Sequence, residues 1–134
     1  MSKVATVRTK FKDAQLLIAA LAAVGLTNIE DHTSKPVRMK TYDGEEIYAD
    51  IRIPKEKLPS HSFADIGFTK ESDGTYKAQI ADFTTSRAFG QEWLNNVGLE
   101  YNKGYVAKTM RDKGFVLTNT GIKGKNQSAT YTKF

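Results

Sequence analysis

The chain has 134 residues, 40% of them hydrophobic and 26% charged, with a net charge of +5 and no cysteine. That length suits one domain around one core, and the balance of apolar and charged residues is that of a globular chain, not a disordered one. Without cysteine there are no disulfides, thiolate metal sites, cysteine nucleophile or cysteine-ligated iron–sulfur clusters, and a reducing compartment is the natural setting.

The segment VATVRTKF alternates, with Ala5, Val7, Thr9 and Phe11 forming the apolar face of a first strand. KDAQLLIAALAAVGL follows as a helix: Asp13 is the candidate N-cap, Leu17, Leu21 and Val24 recur on one side, and Gly25 stops it. The longest apolar run, residues 16–26, is far short of the roughly 20 residues that span a bilayer. No membrane span is expected, nor a secretory leader, since the start has no uninterrupted apolar stretch. The expected setting is the cytosol, or the stroma if the chain comes from a plastid.

Residues 27–43 hold one or two weakly defined strands. The pair Asp43-Gly44 then marks a turn into EEIYADIRI. Ile47, Ala49, Ile51 and Ile53 are expected on one face of a continuous strand, with Tyr48, Asp50 and Arg52 on the other. Pro54 and Pro59 place a surface loop after it.

FADIGFTKESDGTYKAQIADF is a hairpin whose register decides its chemistry. A two-residue turn at Asp73-Gly74 would set Asp65 opposite Asp82, a carboxylate pair suited to acid/base work or metal binding, but would also oppose Lys70 to Lys77. A three-residue loop, Ser72-Asp73-Gly74, with glycine in the left-handed position, sets Phe68 against Ala78 and Ile66 against Ile80. A slip of one residue exchanges the two faces, so the register that gathers apolar residues is the one expected. Asp65 and Asp82 then point to opposite sides.

In TSRAFGQEWLNNVGLEYNKGYVAKTMRDKG, Thr85 or Ser86 is the candidate cap of a short helix carrying Phe89 and Trp93. A second helix is expected to carry Tyr101, Tyr105 and Met110, because Gly98 and Gly104 each cost about 1 kcal/mol in a helix interior. FVLTNTGIKGKNQSATYTKF closes the chain as a hairpin with its loop near residues 123–126. The order β-α-β-β-β-β-α-β-β predicts a single α+β domain: a mostly antiparallel sheet with two main helices packed on one face, ferredoxin-like in order.

The positive charge is local. Residues 101–134 carry seven Lys or Arg against Asp112 alone, a net +6 that leaves −1 for the first hundred. Lys103, Lys108, Arg111, Lys113, Lys123 and Lys125, with Tyr101 and Tyr105 interleaved, are the candidate residues for a nucleic-acid contact that combines phosphate attraction with stacking. GIKG and KGFV have the spelling of pieces of RNA-binding modules, but one lies in a hairpin and the other at a helix stop. His32 and His61 lie in polar loop-like segments without metal-ligand spacing, and Asp43, Glu45, Glu46, Asp50, Asp65 and Asp82 are expected as turn formers and solvated strand faces. No nucleophile elbow, phosphate loop or dinucleotide fingerprint is present, and no cofactor is expected.

Taken together, TVRTKFKDAQLLIAALAAVGL, YDGEEIYADI, ADIGFTKESDGTYKAQIADF and YNKGYVAKTMRDKGF resemble the hypothetical chloroplast reading frame 35 family and its bacterial and phage relatives of unknown function. The resemblance covers nearly the whole chain and centres on the DIGF…DGTY hairpin with a GF strand after the last helix. Many members begin Met-Ser-His-Phe, whereas this chain begins Met1-Ser2-Lys3-Val4. The association of relatives with genes for an AAA-class ATPase and a ferredoxin implies a helper acting on partners, and no catalytic residues carry over. The expected function is a non-enzymatic interaction module binding a protein partner through its sheet face or an exposed hairpin edge. The alternative is a nucleic-acid or ribosome binder using the basic C-terminal third. A metal- or carboxylate-dependent enzyme comes third.

Overall fold

The computed structural model describes residues 3–60, 62–113, 115–123 and 126–133. Its contacts divide the chain into two compact units, 1–101 and 102–134. The first holds a five-stranded sheet built from β1 (Val4–Arg8), β2 (Glu30–Asp31), β5 (Ile51–Ile53), β6 (Ile66–Lys70) and β7 (Tyr76–Ala81), in the order β1-β7-β6-β5-β2. Every pairing is antiparallel. A smaller two-stranded arm, β3 (Val37–Arg38) and β4 (Tyr48–Ala49), joins β2 to β5.

The α+β class is therefore as expected, and both helices contribute to one apolar core. Helix α1 (Ala14–Ala23) begins where Asp13 Oδ1 accepts from the Leu16 N–H at 3.1 Å. It ends where Gly25, at φ +104°, turns the chain so that Leu26 N–H reaches Leu21 C=O, a glycine stop that L-residues adopt poorly. Leu17, Ala20 and Leu21 of α1 bury themselves with Ile51, Ile53, Ile66, Phe68, Ala78 and Ile80 of the sheet. Leu94, Val97 and Tyr101 of helix α2 (Gln91–Asp112) join the same cluster. Each large side chain so enclosed is worth about 1.5–3 kcal/mol relative to exposure.

The hairpin register is the apolar one. Phe68 pairs with Ala78 and Thr69 with Lys77, the Glu71 N–H donates to Thr75 C=O at 2.7 Å, and Gly74 takes φ +89° at the third loop position. Continued outward, this register sets Ala81, not Asp82, across from Asp65.

Two expectations are corrected. Helix α2 runs unbroken for 22 residues through Gly98 and Gly104, instead of splitting in two. A Cβ at Gly98 would meet Phe11 Cζ at 3.9 Å, so burial against the core offsets the propensity cost there. Phe89 precedes the helix, its N–H donating to Ser86 Oγ at 2.9 Å in a turn. The strand EEIYADIRI is also not continuous, because the chain bends at Asp50 between β4 and β5. Ile51 and Ile53 face the helices as expected, but Ala49 packs on the opposite side of the sheet beside Gly67.

In the second unit, β8 (Phe115–Lys123) and β9 (Asn126–Lys133) form an antiparallel hairpin with a register shift between Leu117 and Asn119. They make a sheet of their own.

Candidate interaction surface

On the sheet face away from the helices, one row of residues crosses all five strands: Thr6, Gln79, Gly67, Arg52 and Glu30 are successive cross-strand partners. Thr6 Oγ1 donates to Gln79 Oε1 at 2.8 Å. At the centre, Gly67 leaves a gap that the β3–β4 arm fills. A Cβ there would collide with Met39 Sδ and lie 2.9 Å from Ala49 Cβ. Met39 and Ala49 are consequently buried.

Asp65 holds this arm down. It is fully buried, and both of its oxygens are occupied: Oδ2 accepts from the Arg52 Nε at 2.6 Å and the Lys40 N–H at 2.8 Å, and Oδ1 from the Lys55 N–H at 2.8 Å. The Asp65 N–H in turn donates to Lys40 C=O. One carboxylate thus ties the arm at Lys40, strand β5 at Arg52 and the turn after it at Lys55. Arg52 continues the network, its Nη1 donating to Glu30 Oε1 at 2.9 Å, and His32 Nε2 lies 2.8 Å from the same oxygen.

The charges in this chain reinforce one another. Burial pulls the Arg52 guanidinium down, but hydrogen bonding and charge from Asp65, then Glu30, more than offset it and hold it above its ordinary value. The His32 hydrogen bond, opposed by partial burial and helped by Arg52, holds the Glu30 carboxyl below its ordinary 4.5. Asp50 is buried too, with Oδ2 accepting from the Lys70 N–H at 2.7 Å. Asp50 and Asp65 are therefore internal acceptors, not the solvated strand residues expected of them. The missed signal is Arg52 itself, a cation between two core isoleucines that must find a buried carboxylate.

Above these anchors the arm and the loop before β6 present aromatic rings to solvent. Tyr42, Tyr48 and Phe63 are 58%, 46% and 45% exposed. Tyr42 and Phe63 meet edge-to-face with ring centroids 5.5 Å apart, and Arg38 and Lys40 beside them are exposed. Lys40 Nζ reaches Glu56 at 3.1 Å, Tyr48 Oη donates to Glu46, and Arg38 Nη2 donates to Gly44 C=O. Amphipathic rings held at fixed angles suit recognition of a surface more than chemistry on a small molecule.

The residues expected to touch nucleic acid fall in several places. Tyr101 is buried: its hydroxyl accepts from the Lys12 and Asp13 N–H groups, both at 3.0 Å, and its ring lies 4.7 Å from Phe11. It caps the start of α1 and has no face left for a base to stack on. Lys103, Tyr105, Lys108, Arg111 and Lys113 are exposed. At about 100° per residue, Lys108, Arg111 and Lys113 stand roughly 140°, 80° and 280° round from Lys103, so the cations ring this stretch of chain and do not line one stripe. Lys123 lies in β8, and Lys125 lies outside the described residues, as does His61. Among the described residues no three His, Asp or Glu gather as a metal site, and no helix is long and apolar enough to cross a membrane.

A family model described as "Protein of unknown function (DUF1257)" matches residues 20–130. The chain belongs to that family. No curated protein and no solved structure matches it.

Proposed function

We propose that the chain is a small non-enzymatic interaction module that binds a protein partner through the outer surface of the β3–β4 arm. The observation that carries this reading is the exposed Tyr42–Phe63 ring pair, together with the exposed Tyr48 opposite Arg38 on an arm that Asp65 and the Gly67 gap anchor to the sheet. Tyrosine and arginine are the side chains that most often dominate binding energy at protein interfaces, and a pre-anchored arm loses little conformational entropy on association. Asp65, the most enclosed carboxylate, accepts three donors and sits beneath this surface as a brace. Replacing Tyr42 and Phe63 by alanine should abolish capture of a defined partner from nuclease-treated native extract. Undiminished capture would remove this reading.

A second reading, a nucleic-acid or ribosome binder, is favoured by the exposure of Lys103, Lys108, Arg111 and Lys113 together with Tyr105. It requires binding that weakens steeply with salt, in proportion to the phosphates neutralised. No binding to RNA or DNA even at low salt would dispose of it. The DIGF…DGTY hairpin also supports a narrower placement beside the chloroplast reading frame 35 proteins and their phage relatives, and with it a cytosolic or stromal setting as a helper of other proteins.

A further inference from the structure

The sheet's two outer strands differ. Strand β2 is two residues long and acidic, Glu30-Asp31, whereas β1 is five residues long and among the described residues pairs only with β7. In β1 the hydrogen-bonding sense is set by its start, where the Asp82 N–H donates to Lys3 C=O at 3.1 Å. Lys3, Ala5 and Val7 therefore bond to β7, and Val4, Thr6 and Arg8 turn their N–H and C=O groups outward. The Val4 N–H already meets a carboxylate, Glu45 Oε1 at 3.4 Å. Thr6 and Arg8 lie exposed beyond it.

The same strip is basic. Lys3, Arg8, Lys10 and Lys12 are all exposed, with no acidic residue from 3 to 12. Toward its far end Glu71 lies 4.0 Å from an Arg8 side chain that is 87% exposed, and Asp73 feels the charges of Lys12 and Arg8. The Asp73 carboxyl is held low mainly by Thr75 and only then by Lys12 and Arg8. Contacts this exposed are weak, so the outward row remains a line of backbone donors and acceptors flanked by cations.

From this juxtaposition we infer that the β1 edge accepts an extended, acid-bearing segment of a protein partner as a sixth strand of the sheet. Backbone bonds to Thr6 and Arg8 supply the docking, and carboxylates at alternate positions of the segment, on the face that Thr6 shares, meet Arg8 and Lys10. Pairing β1 with β1 of a second copy would set two basic strips together, which like charge opposes. This surface goes beyond the aromatic arm and is tested apart from it.

The probe is a short end-capped peptide alternating valine with glutamate, compared with its lysine-for-glutamate counterpart, on the full-length isotope-labelled chain. The glutamate peptide should shift the Thr6 and Arg8 amide resonances and slow their exchange with solvent, and the lysine peptide should leave them unchanged. Arg8→Pro removes an outward N–H at a site where edge strands tolerate proline, and Arg8→Ala removes the cation but keeps the N–H. Binding should fall at least about tenfold further in the proline variant than in the alanine variant, roughly 1.4 kcal/mol. Replacing Tyr42 and Phe63 should leave it intact. The inference is overturned by equal shifts from both peptides, by shifts confined to other residues, by equal binding of the two Arg8 variants, or by self-association in sedimentation that Arg8→Pro abolishes.

Discussion

Asp65 is the residue on which this architecture turns, because three donors from three separate segments meet on its two oxygens. Removing one member of a buried ion pair costs about 3–5 kcal/mol, since the other charge is left enclosed. Asp65→Ala should approach that range in chemical denaturation, as it also orphans the Lys40 and Lys55 N–H groups. If the backbone anchoring dominates, Arg52→Met, which leaves Asp65 both backbone donors but no counter-ion, should cost clearly less. Equal losses would mean that the ion pair, and not the backbone anchoring, dominates. Glu30, further out on the same network, sets an acid limit. Its folded value lies below the ordinary 4.5, so its stabilising contribution is complete above that value and fades as pH falls through the lowered one. In thermal melts the wild type should lose stability more steeply than Glu30→Gln below about pH 4.5, and a parallel pH profile would show that the His32–Glu30–Arg52 contacts contribute nothing.

Among the elements, those governed by neighbours in sequence were legible and those governed by distant contacts were not. The α1 cap and stop could be read because Asp13 and Gly25 act on their own turn, and the β6–β7 register because a one-residue slip would have exposed Phe68 and Ile66. Helix α2 passes through two glycines because Val97 and Tyr101 lie in the core and Gly98 lies close to Phe11, contacts that propensity does not contain. The break at Asp50 was hidden for a related reason: alternation over 47–53 looked uniform, but Met39 and Gly67 draw Ala49 to the other face. Gly67→Ala tests that packing. The added Cβ would press on Met39 and on Ala49, whose own Cβ cannot move aside, so a loss of about 1–3 kcal/mol is expected. Partial recovery in the Gly67→Ala, Met39→Ala double variant would localise the strain, and an unchanged denaturation midpoint for Gly67→Ala alone would refute the close approach.

At the scale of the whole chain, the family match over residues 20–130 crosses both compact units, 1–101 and 102–134. The first unit has one face committed to the helical core and the other braced by Arg52 and Asp65 beneath the arm. The candidate site was the least legible part of the sequence, because Tyr42 and Phe63 lie far apart along it and meet only through the fold, whereas Lys103, Lys108 and Arg111 of the basic run spread around α2. The central claim is that the arm's aromatic surface binds a protein. Its most direct test is capture by the full-length chain from nuclease-treated native extract, comparing wild type with the Tyr42→Ala, Phe63→Ala double variant after confirming equal melting temperatures. We predict a defined protein recovered by the wild type and at least about tenfold less by the variant, as expected for two interface aromatics. Equal recovery by both, or recovery that nuclease abolishes, would contradict the account.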